Sequence, residues 1–150
     1  MERKYVSENK QARERLRKLV NEMTDEELNL IVYKEGWTVA VALGHLAFWD
    51  ERRRILLKQW NQKGVAPFAH IDDIVNDTLI PFLLAIPPRE AANMAISTAE
   101  KLDHELEKIS TDMQTAIEAL GDRNALNRAI HRKMHMDEID VILKAKHSSK

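Results

Sequence analysis

The sequence predicts an all-α bundle, and three observations carry that prediction. Apolar residues recur at three- and four-residue steps through several long stretches, helix start and stop signals separate those stretches, and runs of β-branched residues are sparse. A chain that is 44% hydrophobic and 31% charged, with only 4 Gly and 4 Pro among 150 residues, suits long amphipathic helices rather than strands or disorder. The length is enough for residues 1–150 to form one domain with a core that needs neither disulfides nor structural zinc. No internal repeat, low-complexity tract or linker interrupts it.

Taken in order, Ser7 is placed to cap a first helix with apolar positions Leu16, Leu19, Val20 and Met23, ending near Asn21 to Met23. Thr24 and Glu27 match a capping box, which opens a short second segment through Leu28, Ile31 and Val32 that Gly36 stops. Thr38 caps a long helix from Val39 to about Gln62, closed by Gly64 and Pro67. At about 100° per residue this helix carries Val41, Gly44, His45, Phe48, Trp49, Arg52, Ile55 and Leu56 on one side. Asp50, Arg54, Lys58 and Asn61 fall on the other. Gly44 disfavours a mid-helix position by roughly 1 kcal/mol relative to Ala, so a neighbouring backbone or ligand is expected to come close there. Arg52, on the apolar stripe, either snorkels or pairs with a carboxylate, or else contacts an anionic substrate group.

Residues 64–71 read as a loop, after which Asp72 or Asp73 starts a modest helix that Pro81 kinks or ends. Pro87-Pro88 marks the next start, and Ala92, Ala95, Ile96, Ala99, Leu102, Leu106 and Ile109 trace an amphipathic helix. Thr111 caps a shorter one, terminated by Gly121. Asp122 or Asn124 begins the last helix, whose solvent stripe is Lys133, Asp137, Asp140 and Lys144 and whose opposite face holds His131, His135, Ile139 and Ile142.

Charge and motif content exclude several functions. A net charge of −1 leaves no global field to attract phosphate backbones, and the one short basic run, Arg52-Arg53-Arg54, follows Asp50-Glu51. No nucleic-acid role is expected. The charged N-terminus lacks an apolar leader and no stretch approaches the roughly 20 apolar residues of a membrane span, so a soluble, cytoplasmic protein without membrane contact is expected. Absence of cysteine removes thiolate ligands, disulfides and a cysteine nucleophile. There is no phosphate-binding glycine loop, nucleophile elbow or dinucleotide fingerprint.

The histidines are the informative residues. His131 and His135 stand one helical turn apart on one face, and His45 sits within the apolar stripe of the long helix. A pair at that spacing is weak evidence by itself, and a single histidine on an apolar face is commonly a satisfied core residue. Three buried imidazoles that meet would need hydrogen bonds for every ring nitrogen, whereas one divalent cation satisfies all three as neutral ligands. Three protein ligands with an open position form a catalytic rather than a structural arrangement. The pattern His-Arg-Lys-Met-His lacks the Glu of a metalloprotease helix. Met134 and Met136 read as filler, and His70, His104 and His147 as ordinary. Glu138, about a turn from both histidines, is a candidate hydrogen-bond acceptor for a ligating imidazole, with Trp49 as an apolar wall and Arg52 as an anion contact.

The run Trp37-Thr-Val-Ala-Val-Ala-Leu-Gly-His45-Leu-Ala-Phe-Trp-Asp, followed much later by His131-Arg-Lys-Met-His135-Met-Asp-Glu-Ile139, resembles the DinB/YfiT-like family of small bacterial metalloproteins, and Asp73-Ile-Val-Asn76 also looks like it. The resemblance implies a four-helix bundle of up-down-down-up connectivity with additional short helices, a homodimer, and nickel or zinc on His45, His131 and His135. It implies relatives that are thiol S-transferases using bacillithiol or mycothiol, or a mycothiol-dependent maleylpyruvate isomerase. No catalytic carboxylate or thiol-binding motif carries over. Two functions are therefore weighed. One is a metal-dependent enzyme that activates a low-molecular-weight thiol or water for transfer to, or hydrolysis of, a small-molecule substrate. The other is a non-catalytic metal-binding or stress-associated bundle.

Overall fold

The computed structural model describes residues 3–69 and 73–149; His70, the loop end at Ile71 and the alternative helix start at Asp72 lie outside the described residues. Among the described residues six α-helices follow in order: α1 Lys4–Glu22, α2 Val39–Lys63, α3 Asp73–Leu84, α4 Pro88–Glu107, α5 Thr111–Glu118 and α6 Ala129–Ser148. The four long helices, α1, α2, α4 and α6, make the bundle. Among the described residues no helix is long and apolar enough to cross a membrane.

Cross-helix contacts fix the directions. Tyr5 at the start of α1 donates to the Leu106 carbonyl at the end of α4, whereas Arg89 at the start of α4 donates to the Val20 and Met23 carbonyls at the end of α1. These two helices are antiparallel. Gly44 lies against Ala91 and Arg54 pairs with Glu105, so α2 and α4 run the same way. Asn9 meets Arg128, Arg15 pairs with Asp137 and Asp140, and Glu27 just beyond α1 meets His147, so α1 and α6 are parallel. The order is up-down-down-up.

Local chemistry explains most boundaries. The Thr38 hydroxyl accepts from the Val41 amide at 3.0 Å and Gly64 closes α2 at φ +91°, its amide donating to the Trp60 carbonyl. Pro88 occupies the first turn of α4, where its missing N–H has no intrahelical partner to lose. Gly44 is closely packed, but by side chains rather than by a backbone or ligand: a Cβ there would stand 3.1 Å from a Leu83 methyl and 3.8 Å from the Ala91 Cβ. The facing α4 surface is correspondingly small, with Ala91, Ala92, Ala95 and Ala99 all buried.

Other expectations are corrected. Helix α1 starts before Ser7, with Arg3 at its cap position, because Tyr5 is buried and bonds to the end of α4 while Arg3 bonds to the Ile109 carbonyl just beyond it. The Thr24–Glu27 capping box forms reciprocally at 2.9 and 3.1 Å, yet it opens only one 3-10 turn, Glu27–Asn29. Beyond it Val32 and Trp37 pair across a tight reversal in which Gly36 takes φ +84°, so Gly36 turns a miniature hairpin rather than ending a helix. Helix α3 passes through Pro81 to Leu84. The Ser110 hydroxyl, one residue ahead of Thr111, caps α5. Helix α6 begins at Ala129, not at Asp122 or Asn124, and it continues through His147.

The apolar core falls into two clusters. One contains Leu16, Val20, Leu43, Leu46, Ala95, Met136 and Ile139; the other contains Tyr5, Leu57, Trp60, Leu102, Leu106 and Leu126. Each long helix contributes one residue to a buried polar layer: Asn9, Asp50, Asp103 and Arg132. Asp50 is thus 2% exposed, contrary to its expected place on the solvent side of α2. Its carboxylate accepts from Arg128 Nε at 3.0 Å and from Arg132 Nη2 at 3.1 Å. Arg132, with no exposed surface, also donates to both oxygens of Asp103 at 2.8 and 2.9 Å. Burial works against the Arg132 charge, but the two carboxylates outweigh it and hold the guanidinium above its ordinary value.

Candidate metal centre

Helices α2 and α6 bring His45, His131 and His135 together beside this polar layer. Val39 through Ala47 of α2 is buried on every side, which puts His45 inside the bundle, and the one-turn spacing on α6 sets the other two imidazoles side by side. The Nε2 atom of His131 lies 3.2 Å from that of His45 and 3.0 Å from that of His135. One ligand atom from each residue lies within 4.8 Å of the others, so the three can hold one metal ion. A neutral imidazole has a single proton or lone pair at Nε2. His131 therefore serves two nitrogen neighbours poorly, whereas a cation accepts a lone pair from each ring.

Burial keeps all three rings neutral. It depresses His45 to about 3, with the His135 ring adding to the effect, and His131 to about 2, where both other rings contribute. Burial alone takes His135 to about 4. Neutral imidazole is the ligating form.

The outward nitrogen of His135 meets Tyr33, a residue that no motif in the sequence points to. Tyr33 Oη lies 2.6 Å from His135 Nδ1, and a His135 ring that ligates through Nε2 carries its proton at Nδ1 and donates it to the phenol oxygen. Burial, and then the charge of Glu138, push the Tyr33 hydroxyl up to about 12, so it stays protonated. Glu138 was expected to accept from an imidazole. It is exposed instead, and Tyr33 occupies the acceptor position at His135. Trp49 is placed against the site: its indole N–H lies 3.3 Å from His45 Nδ1 and donates to Asn76 Oδ1 at 3.0 Å. Trp37 packs edge-on against His45 with ring centroids 5.2 Å apart. Helical phase had no means of finding Tyr33, which lies in the hairpin, but Asn76 stands in the stretch already noted at the start of α3.

Two openings reach the triad. One, of about 470 Å³, is bordered by Tyr33, Lys34, Trp37, Asp77 and Met134. The other, of about 300 Å³, is bordered by His45, His131, Trp49, Arg52, Arg53 and Arg128. Among the described residues Arg52 meets no carboxylate: it donates to the Ala69 carbonyl at 3.0 Å and stacks near Trp49 and Phe68. His104 is exposed, and His147 bonds Glu27 at 3.0 Å, far from the triad. Met136 is fully buried and Met134 is 52% exposed.

A helical bundle with three buried imidazoles converging on one point belongs to the histidine-triad bundles able to bind a metal. The chain belongs to the DinB superfamily: the family model of that description matches residues 8–145. No curated protein and no solved structure gives a match.

Proposed function

We propose that this protein is a metal-dependent enzyme, with zinc or nickel held by His45, His131 and His135, that activates a low-molecular-weight thiol or water for transfer or hydrolysis. The observation that carries the reading is the convergence of the three Nε2 atoms at 3.0 and 3.2 Å, on rings that burial keeps neutral, at a site with two openings. When bound, a divalent ion supplies Lewis acidity that lowers the pKa of a thiol or water, and three protein ligands leave a position for one.

The chain's own residues do the rest. Tyr33 fixes the His135 ring and its tautomer, and Asn76 and Trp49 set the wall beside His45. Trp37 and Trp49 close the apolar sides and limit water around the reacting centre. A small-molecule substrate suits openings of about 300 and 470 Å³.

The test is elemental analysis of protein purified without a histidine tag, beside His131→Ala, followed by transfer assays with small thiols and a panel of electrophiles and esters. Near-stoichiometric metal in the wild type, lost in the variant, together with metal-dependent turnover is the expected result. Metal-loaded protein that turns over nothing in the panel would overturn the catalytic reading.

A further inference from the structure

Arg53 is the residue that the fold leaves unexplained. It is 5% exposed, and its Nε and Nη1 atoms are shielded from solvent with no hydrogen-bond partner. Its guanidinium carbon lies 4.8 Å from the Phe68 ring, a contact with the π face that leaves the in-plane N–H groups unsatisfied. The other buried arginines differ: Arg128 and Arg132 are both bonded to carboxylates. An unpartnered buried cation is among the least favourable groups a core can hold. Burial, with Arg128 close by, pushes the Arg53 guanidinium down to about 10, which leaves it charged at neutral pH.

Arg53 lines the opening of about 300 Å³ that ends at His45 and His131. Arg52 and Arg128 share that wall, and Asp122 is its one carboxylate among the described residues. Arg128 is matched by Asp50, and among the described residues Arg52 is bonded only to a carbonyl. The wall therefore carries excess positive charge in a low-dielectric recess beside the triad, where attraction for an anion is strong.

We propose that this recess is a subsite for an oxyanion of the substrate, a carboxylate or a phosphate group, received by Arg53 and Arg52 while the remainder of the molecule reaches the histidine triad. The subsite rests on the metal-centre reading above and narrows its substrates to anionic ones.

The experiment is calorimetric titration, at fixed ionic strength, of zinc-loaded and metal-free protein with 3-mercaptopropionate, 2-mercaptoethanol, acetate and inorganic phosphate. Zinc-loaded wild type is expected to bind 3-mercaptopropionate at least about tenfold more tightly than 2-mercaptoethanol. Arg53→Gln should erase that preference and leave 2-mercaptoethanol unaffected. Acetate and phosphate should bind even the metal-free protein, weakly and only with Arg53 present, and the tighter of the two identifies the oxyanion. Thermal unfolding supplies a control, because a residue kept for a ligand and not for the fold can be neutralised without loss: Arg53→Gln should melt at or above the wild-type temperature. Arg52→Gln, at a half-buried position, serves as a second variant and should weaken 3-mercaptopropionate several-fold. Equal wild-type affinity for the charged and neutral thiols, or oxyanion binding unchanged in both variants, overturns the subsite. A fall of several degrees in Arg53→Gln does so as well. Failure of the metal-centre reading looks different: oxyanions would still require Arg53, but neither zinc nor His131→Ala would change any thiol's affinity.

Discussion

Each imidazole of the triad is held in the form that a metal requires, and this has a consequence for stability. The unfolded chain protonates its histidines near pH 6.5, whereas the folded protein resists protonation of His45, His131 and His135 until about 3, 2 and 4. Between those values the unfolded state binds more protons, so stability falls as pH falls. Metal-free protein should lose melting temperature steadily from about pH 7 to about pH 4.5, and His135→Asn should flatten that slope. A melting temperature independent of pH would show that the rings are not held neutral. Tyr33 allows a sharper check, since its only hydrogen bond to the triad is the 2.6 Å contact at His135 Nδ1. Tyr33→Phe keeps the ring packing against Trp37 and removes that acceptor. Zinc affinity, measured by competition with a chromophoric chelator, should drop about tenfold.

At the level of whole elements, what was legible depended on where the capping group comes from. Helices α2 and α4 carry their own signals in Thr38, Gly64 and Pro88, and both appear where these residues place them. Helix α6 does so only weakly, because its start is held mainly from α1, with Asn127 Oδ1 sharing the Ala129 amide at 3.0 Å. The Asn9 Oδ1 atom accepts from the Arg128 and Ala129 amides at 2.7 and 3.1 Å, and its Nδ2 donates to the Leu126 carbonyl at 2.9 Å. No local pattern near Asp122 announces a partner so far away in the chain. The same distance hid Asp50: its phase on α2 suggests solvent, and only the arginines of α6 make its burial tolerable. The triad was readable because its spacing lies within one helix and its third member stands in an apolar run. Asn9→Ala removes two buried hydrogen bonds and one part-buried one at the start of the helix that carries two of the three histidines. It should destabilise the protein by about 2 kcal/mol in urea unfolding. Zinc affinity should fall with it, and stability unchanged within error would show that α6 needs no cap from α1.

For the molecule as a whole, periodicity identifies helices but contains nothing about which of them are neighbours; the up-down-down-up order was implied by the family resemblance alone, and the contacts between distant residues bear it out. The polar layer gives that order a chemical basis. Asn9, Asp50, Asp103 and Arg132 meet between two apolar clusters, one residue from each long helix. Arg132 bonds to all three of the others, through Asp50 Oδ2, both oxygens of Asp103 and the Asn9 carbonyl. A helix placed in the wrong position or slid by a turn would bury one of these charges without its partner, which disfavours alternative arrangements more than it stabilises the native one. Arg132→Met should accordingly cost about 3 to 5 kcal/mol, because two buried carboxylates then depend on Arg128 and Arg13 alone. Asp50→Asn should cost less, since the amide oxygen still accepts hydrogen bonds. The double variant should be more stable than the two separate losses predict, by a coupling of about 1 to 3 kcal/mol in urea unfolding. Strict additivity would mean that the layer is a set of independent contacts. With coupling, the layer that aligns the four helices also sets the relative height of α2 and α6, and hence whether His45 meets His131 and His135 at all.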